Sequence, residues 1–314
     1  MLETPVLFLI FNRPDVTEVV FESIKKVKPK KLFIAADGPR MHKEGEKEKC
    51  ELTRKIVLDG IDWECEVKTL FREKNLGCKY AVSGAISWFF ENVEEGIILE
   101  DDCLPDSSFF TYCSELLAKY RNEPKVMHIG ANYYNKEKSN NNYSYYFSSY
   151  IEIWGWATWR RAWKLYDPEM STFPELKKTP FLQNVFKTGP QRKHWMDCFN
   201  SSFESKVDTW DYQWVYCVYS NEGIAINPYV NLVSNLGFRD DATHTTNDHS
   251  AFSNIKTQSL TNLAHPKEIK VSWEDDTITF NSIYKTKDPA FRDKIVNAIR
   301  KNKTLYGFLK KLKG

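Results

Sequence analysis

The first third of the chain alternates apolar runs with amphipathic stretches. Strands are predicted at residues 5–11, 31–36, 65–71 and 97–99. Helices are predicted between them, at residues 16–27, 51–59 and 79–90. Strands that alternate with helices predict a largely parallel sheet with right-handed crossovers. This part of the sequence is therefore typical of a nucleotide-binding α/β layer.

The pattern changes after residue 105. Helices are predicted at residues 106–120, 191–203 and 212–221, and strands at 125–129, 224–227 and 231–233. Residues 143–163 are densely aromatic, and residues 135–142 form a polar loop. The alternating segments 269–273 and 277–280 flank Glu274-Asp275-Asp276, which predicts a hairpin, and Asp288-Pro289 is typical of a helix start. We predict one domain over residues 1–265, with halves that meet near residue 105, and a C-terminal part of hairpin and helices over 266–314.

Three consecutive carboxylates follow the fourth predicted strand. Ile97, Ile98 and Leu99 run directly into Glu100-Asp101-Asp102. Clustered negative charges repel one another and resist desolvation at the end of a buried strand. A bound Mg²⁺ or Mn²⁺ ion would remove that conflict, and ligands of open α/β sheets bind at the carboxyl ends of strands. The alternative is an acidic surface turn before Pro105.

The region around these carboxylates resembles the metal-binding region of GT-A glycosyltransferases. It is most similar to the N-acetylglucosaminyltransferase I type and its bacterial relatives. The resemblance is carried by the run 79–110 with its Glu-Asp-Asp block, the opening run 5–14, Asp37-Gly38 and Trp154-Gly155-Trp156. It covers about residues 5–245. It implies a Rossmann-like α/β fold with a mostly parallel central sheet flanked by helices. It also implies sugar transfer from a nucleotide-diphosphate donor, UDP-linked by default, to a glycan or lipid-linked acceptor.

The resemblance further implies roles for individual residues in the first half. Asp102 is expected to bind the metal ion, and Asp101 and Glu100 to hold the ribose and adjacent groups. Arg13 and Asp37 are expected to contact the nucleotide base and phosphates. Lys79 stands where the eukaryotic relative has a histidine, and a cation near a diphosphate is chemically reasonable.

Asp211 is the candidate general base. It follows Trp210 and precedes a predicted helix, in the place where inverting relatives carry their catalytic carboxylate. Trp210 and Trp214 would desolvate the carboxylate and raise its pKa. The alternative is a helix N-cap, for which Asp is favoured. Asp208 is the reserve candidate.

Other candidates lie in aromatic and loop segments. Trp156, beside Gly155, and Trp210 are candidate contacts for an acceptor sugar, with core packing as the alternative for Trp156. His244 lies in a polar, glycine-containing segment and is a candidate ligand of the metal or diphosphate, since neutral imidazole binds Mn²⁺ well. A solvated loop histidine is the alternative, and His249 is a second choice.

Composition and charge bear on which partners the protein is expected to bind and on the cellular compartment in which it is expected to work. A net charge of +2 over 314 residues gives no reason to expect a nucleic-acid partner. Seven cysteines without paired metal spacing fit a reduced, cytoplasmic compartment. In the stretch 305–313, Leu305, Phe308, Leu309 and Leu312 share one helical face flanked by lysines. Such a helix would lie on an anionic membrane surface, or it would dock on the domain as a terminal helix.

Two other functions stay open at this stage. A sugar-nucleotide nucleotidyltransferase is one, although that class generally shows a glycine-rich phosphate loop after the first strand, and Asn12-Arg13-Pro14 contains no glycine. A non-catalytic carbohydrate-binding module is the other, because aromatic side chains pack well on sugar rings. Such a module would have no use for Asp102 and Asp211.

Overall fold

The computed structural model describes residues 1–134, 142–238 and 255–283. The strands are β1 Val6–Ile10, β2 Lys31–Ala36, β3 Glu66–Phe71, β4 Glu95–Glu100, β5 Cys103–Pro105, β6 Val126–Ile129, β7 Tyr145–Ser148, β8 Trp156–Trp159, β9 Ile224–Pro228 and β10 Val233–Asn235. The helices are α1 Pro14–Val27, α2 Glu46–Asp59, α3 Gly77–Asn92, α4 Ser107–Tyr120, α5 Arg160–Trp163, α6 Phe173–Leu176, α7 Phe181–Val185, α8 Gly189–Phe203, α9 Asp211–Ser220 and α10 Trp273–Ile283.

Eight strands form one central sheet in the order β3-β2-β1-β4-β8-β6-β9-β7. The first four are parallel to one another. β8 is antiparallel to both β4 and β6, so β6 runs in the same direction as β4, and β9 is parallel to β6. The carboxyl ends of six strands therefore lie at one edge of the sheet. The predicted α/β class with a central sheet flanked by helices is confirmed, and the sheet is mixed beyond β4.

Both faces of the sheet are covered by apolar clusters. In β1, Leu7 and Leu9 belong to one cluster, whereas Val6, Phe8 and Ile10 belong to the other. A strand that is buried on both sides needs apolar side chains at successive positions, which explains the unbroken apolar run at the start of the chain. β1 is consequently held in the centre of the fold, and the segment that follows it is fixed at the carboxyl edge.

The predicted hairpin near residue 275 is wrong. Residues 273–283 form α10, and its first turn contains Glu274, Asp275 and Asp276. Acidic side chains are favoured at the positive end of a helix dipole, so a charged triplet that resembled a turn in fact begins a helix. Helix α2 also begins at Glu46, earlier than predicted, because the Glu46 carboxylate is held by hydrogen bonds from Arg40 and Asn12.

Several predictions lie outside the described residues. These are His244, His249, the loop 135–141, the helix start at Asp288-Pro289 and the amphipathic stretch 305–313. Within residues 1–134, 142–238 and 255–283, no helix combines the length and apolar character that a membrane crossing requires.

Candidate active site

A cavity of about 640 Å³ opens at the carboxyl edge of the sheet. The segments that follow β1, β2, β3 and β4 contribute to its wall, together with the start of α3 and the residues before and at the start of α9. Eight of the predicted site residues line it: Arg13, Asp37, Glu100, Asp101, Asp102, Asp208, Trp210 and Asp211. The tertiary structure therefore brings together side chains that are up to two hundred positions apart in sequence.

The acidic triplet is organised around one guanidinium group. Nη2 of Arg13 donates to Asp101 Oδ1 at 2.5 Å and to Asp102 Oδ2 at 3.0 Å. The backbone amide of Phe11 donates to the other oxygen of Asp101 at 3.1 Å. The Asp101 side chain is only 4% exposed, compared with 14% for Asp102. Asp101 is thus committed to internal contacts, and Asp102 presents its carboxylate to the cavity.

The triplet carries more negative charge than Arg13 balances. Burial, together with Asp102 and Asp101, raises the pKa of Glu100 to about 8. Burial also raises the pKa of Asp101 to about 6, against the opposing effect of Arg13. Burial by itself would lower the pKa of Arg13, but Asp101 and Asp102 keep it above its ordinary value. An uncompensated carboxylate cluster is the electrostatic environment that favours a bound cation.

The residues present fit a divalent ion whose coordination is completed by a ligand. In the described parts of the chain, no three His, Cys, Asp or Glu side chains are grouped as a complete metal cage. Mg²⁺ and similar hard ions are commonly held by one or two carboxylates plus substrate phosphates. Asp102, with Glu100 beside it on the same cavity, supplies oxygen ligands of that kind.

Asp211 is the first residue of α9 and lies on the same cavity. Its Oδ1 accepts hydrogen bonds from the Thr209 hydroxyl and, at 2.8 Å, from the Tyr212 amide. Trp210 occupies the N-cap position of α9, so Asp211 does not take the N-cap role that was the alternative to a general base. The Asp211 carboxylate also contributes to the raised pKa of Glu100, after burial and the two neighbouring aspartates. The two acidic groups therefore act electrostatically on one another across the cavity.

The structure corrects the position of Trp156. Trp156 is fully buried and stacks on Trp210 and His128, with ring centroids 5.5 Å and 5.0 Å away. Its neighbour Gly155 has a φ of +70°, which turns the chain so that Trp154, and not Trp156, lines the cavity. Trp156 is thus a core residue, because both of its faces are covered by other rings. Trp210 is also almost completely buried, although its surface forms part of the cavity wall.

Lys79 also differs from the prediction. Its ammonium group donates to Glu169 at 3.1 Å and does not line the cavity. Its backbone amide donates to Asp208 Oδ1 at 3.0 Å, and the amide of Cys78 donates to Asp208 Oδ2 at 3.1 Å. Both oxygens of Asp208 are thus engaged by the start of α3. Asp208 is therefore a poor candidate for a general base.

Asp37 lines the cavity beside Arg72, which the sequence analysis missed. Asp37 accepts from the amides of Gly38 at 2.9 Å and Leu76 at 3.0 Å. Burial raises the pKa of Asp37, while these bonds and Arg72 oppose the shift. Arg72 follows β3 directly, as Asp37 follows β2. The same strand-end position that identified Asp37 could have identified Arg72.

A second short sheet covers Asp102. β10 pairs antiparallel with β5, and the amide of Leu236 donates to the carbonyl oxygen of Asp102 at 2.8 Å. Gly237 lies so close to Asp102 that a Cβ atom at this position would overlap the Asp102 carboxylate. The chain that leads toward His244 therefore passes directly over Asp102.

Comparisons with known proteins do not assign this chain to a family. No protein-family model matches the sequence, and no curated protein matches it. Among solved structures, S. aureus TarS 1–349 overlaps with a TM-score of 0.36 and 9% identity, over 52% of this chain and 48% of that chain. HddC from Yersinia pseudotuberculosis overlaps with a TM-score of 0.33 and 9% identity, over 52% and 80%. A UDP-glucose pyrophosphorylase complexed with UDP-glucose overlaps with a TM-score of 0.31 and 11% identity, over 53% and 79%. Similarity this low carries no argument about function.

Proposed function

We propose that this protein is a metal-dependent, inverting glycosyltransferase that moves a sugar from a nucleotide-diphosphate donor to a hydroxyl group of a glycan or lipid-linked acceptor. One observation carries the proposal: Asp102, at the end of the acidic triplet, and Asp211 line the same cavity. Direct glycosyl transfer needs one group that stabilises the leaving diphosphate and another that accepts the proton of the attacking hydroxyl. The cavity supplies a candidate for each.

The donor would bind on the side of the acidic triplet. Asp102, with Glu100, would hold Mn²⁺ or Mg²⁺, and the donor phosphates would complete its coordination. When bound, the ion supplies Lewis-acid stabilisation of the charge that develops on the leaving diphosphate. Arg13 and the Phe11 amide keep Asp101 in place, so that Asp102 is fixed at the end of β4. Such preorganisation lowers the cost of ordering the site during reaction.

A uracil base matches the pair of residues at the ends of β2 and β3. The imide N–H of uracil is a donor flanked by two carbonyl acceptors, and cytosine offers an amino donor beside a ring-nitrogen acceptor. The Asp37 carboxylate is an acceptor, the neighbouring Arg72 guanidinium is a donor, and both line the cavity. This complementarity fits either pyrimidine, and UDP is the default donor because of the resemblance to GT-A glycosyltransferases.

Asp211 would take the acceptor proton. The hydrogen bonds from Thr209 and Tyr212 fix its orientation at the start of α9. A base that activates the acceptor for a single displacement leads to inversion at the anomeric carbon. Trp154 is an aromatic side chain that the cavity offers to a sugar ring, whereas Trp156 is enclosed in the core.

A thermal-shift experiment tests the proposal. UDP, UDP-glucose and UDP-N-acetylglucosamine with Mn²⁺ should raise the melting temperature by about 5 °C at 100 times their dissociation constant. The shift should vanish without Mn²⁺ or in Asp102→Asn. If no nucleotide stabilises the wild-type protein in the presence of Mn²⁺, the proposal is overturned.

The reaction products separate the transferase from the two alternatives. A glycosyltransferase releases UDP from a UDP-sugar, whereas a nucleotidyltransferase releases pyrophosphate from UTP and a sugar phosphate. A carbohydrate-binding module would release neither and would retain its sugar affinity in Asp102→Asn. Release of UDP that depends on Mn²⁺ and on Asp102 is the expected result.

A further inference from the structure

Helix α3 begins without a cap from its own sequence. The first amides of a helix have no partner in the preceding turn and need acceptors from elsewhere. Leu76, at the N-cap position, contributes no side-chain hydrogen bond. Instead, the amide of Leu76 donates to Asp37, and the amides of Cys78 and Lys79 donate to Asp208. Two carboxylates from distant parts of the sequence therefore supply the acceptors for this helix start.

The contact between Asp208 and the start of α3 depends on the backbone conformation of Gly77. Gly77 has a φ of +78°, a conformation that favours glycine. A Cβ atom on Gly77 would lie 2.8 Å from Asp208 Oδ2. Glycine at this position thus lets the carboxylate approach the helix start closely enough to bind two successive amides. The negative charge of Asp208 is also favoured by the positive end of the α3 dipole.

Asp208 belongs to the turn that leads into α9. The turn comprises residues 207–212, all of which line the cavity, and Asp211 lies three positions after Asp208. Other contacts of the turn include the stacking of Trp210 on Trp156 and a hydrogen bond of 3.2 Å from the Tyr166 hydroxyl to the Trp210 carbonyl. Both of these involve Trp210. Asp208 connects the turn to α3 through two backbone amides, and hence to the half of the molecule that carries the acidic triplet.

We propose that Asp208 is a positioning residue that docks the Asp211 turn on the first turn of α3 and thereby sets the position of Asp211 relative to the acidic triplet. This inference rests on the proposed function. Because both carboxylate oxygens bind backbone amides, the role of Asp208 is geometric and does not require it to exchange a proton. This role also explains why Asp208 lies only three positions before the candidate base Asp211.

Amide hydrogen exchange tests the docking without any assumption about activity. In Asp208→Ala, the segments 76–82 and 205–213 should both exchange about tenfold faster, as expected for the loss of a helix cap. Asp208→Asn, which keeps one acceptor oxygen, should show an intermediate effect. Thr188→Ala is the matched control, because Thr188 caps α8 and lies outside the cavity. It should accelerate exchange only near residue 188.

Turnover tests the catalytic part of the inference. With UDP-glucose or UDP-N-acetylglucosamine and Mn²⁺, release of UDP should fall about tenfold in kcat in Asp208→Ala, while the KM for the donor stays within twofold. Thr188→Ala should match the wild type. Unchanged exchange in both segments, or a kcat equal to that of the wild type, overturns the positioning role. Absence of nucleotide binding and turnover in the wild-type protein overturns the proposed function instead, and with it the catalytic part of this inference.

Discussion

The two halves of the molecule build the cavity in different ways. Before residue 105, the polar site residues lie at or a few positions after the ends of parallel strands, as Asp37 follows β2 and the acidic triplet begins at the last residue of β4. After residue 105, most cavity residues lie in the segments 207–212 and 153–154, beside stacked rings such as Trp156 and Trp210. The first half is thus positioned by the strands of the sheet, and the second by ring packing together with the hydrogen bonds that Asp208 accepts from α3. This difference predicts that substitutions in the second half will more often affect stability and geometry together.

Asp211→Asn should have the largest effect on activity. Asparagine has the same size but does not accept a proton at neutral pH, so kcat should fall about 1,000-fold. Nucleotide stabilisation with Mn²⁺ should remain, because the acidic triplet is untouched. Asp197→Asn, at an exposed aspartate paired with Lys193 on α8, is the control and should retain full activity. A measured kcat near that of the wild type for Asp211→Asn would exclude Asp211 as the base.

The two tryptophans around Gly155 should differ in their effect on stability. Trp156→Ala removes a fully buried ring from a stack and should lower the free energy of unfolding by about 3–5 kcal/mol. Trp154→Ala, at a partly exposed position on the cavity, should cost about 1 kcal/mol. Urea unfolding of both variants measures the difference. Equal losses would contradict the assignment of Trp156 to the core and Trp154 to the cavity.

Gly237→Ala probes the coupling between the segment after β10 and the Asp102 carboxylate. The added methyl group overlaps Asp102, so the carboxylate must move, and overpacking of this kind costs about 1–3 kcal/mol. Nucleotide affinity in the presence of Mn²⁺ should therefore fall about tenfold, as measured by isothermal titration calorimetry. Gly189→Ala is the control, because a methyl group there meets no atom within 4 Å. Identical nucleotide affinities in the two variants would show that the chain around Gly237 moves to make room for the methyl group without disturbing Asp102.

The smallest effect concerns the pH dependence of stability in the second half. Glu152 is buried, its Oε1 has no hydrogen-bond partner among the described residues, and burial raises its pKa from 4.5 to about 8 against a hydrogen bond with Tyr134. The folded protein therefore binds this proton more tightly than the unfolded chain does. Stability should fall as the pH rises from about 4.5 to 8 and should level off above it.

Glu152→Gln removes this proton linkage and should flatten the profile. Between pH 7.0 and 8.0, the wild type should lose about 1 kcal/mol more than the variant in urea unfolding, with other groups contributing equally to both. Glu64→Gln, at an exposed glutamate, should keep the wild-type slope. Parallel slopes for the wild type and Glu152→Gln would mean that Glu152 is ionised throughout this range.

Predictions from the sequence were more accurate in the first half of the molecule than in the second. β2 was predicted to the residue, and the Glu-Asp-Asp block was placed correctly at the end of β4, because an apolar run and the polar residues after it are local features. The helix at residues 273–283 was predicted as a hairpin, since a short charged triplet between apolar residues fits both a turn and a helix start. The roles predicted for metal, donor and acceptor residues remain predictions.

The sequence by itself determined the α/β class, the order of strands and helices in the first half, and the clustering of carboxylates after β4. Each of these depends on hydrophobic periodicity and on charges that are adjacent in the chain. Only the tertiary structure decided that Trp154 lines the cavity while Trp156 is buried, that Lys79 pairs with Glu169, and that Asp208 binds the start of α3. The physical reason is that these outcomes depend on contacts between residues about 30 to 130 positions apart, and on a single glycine turn, neither of which leaves a periodic signal in the chain.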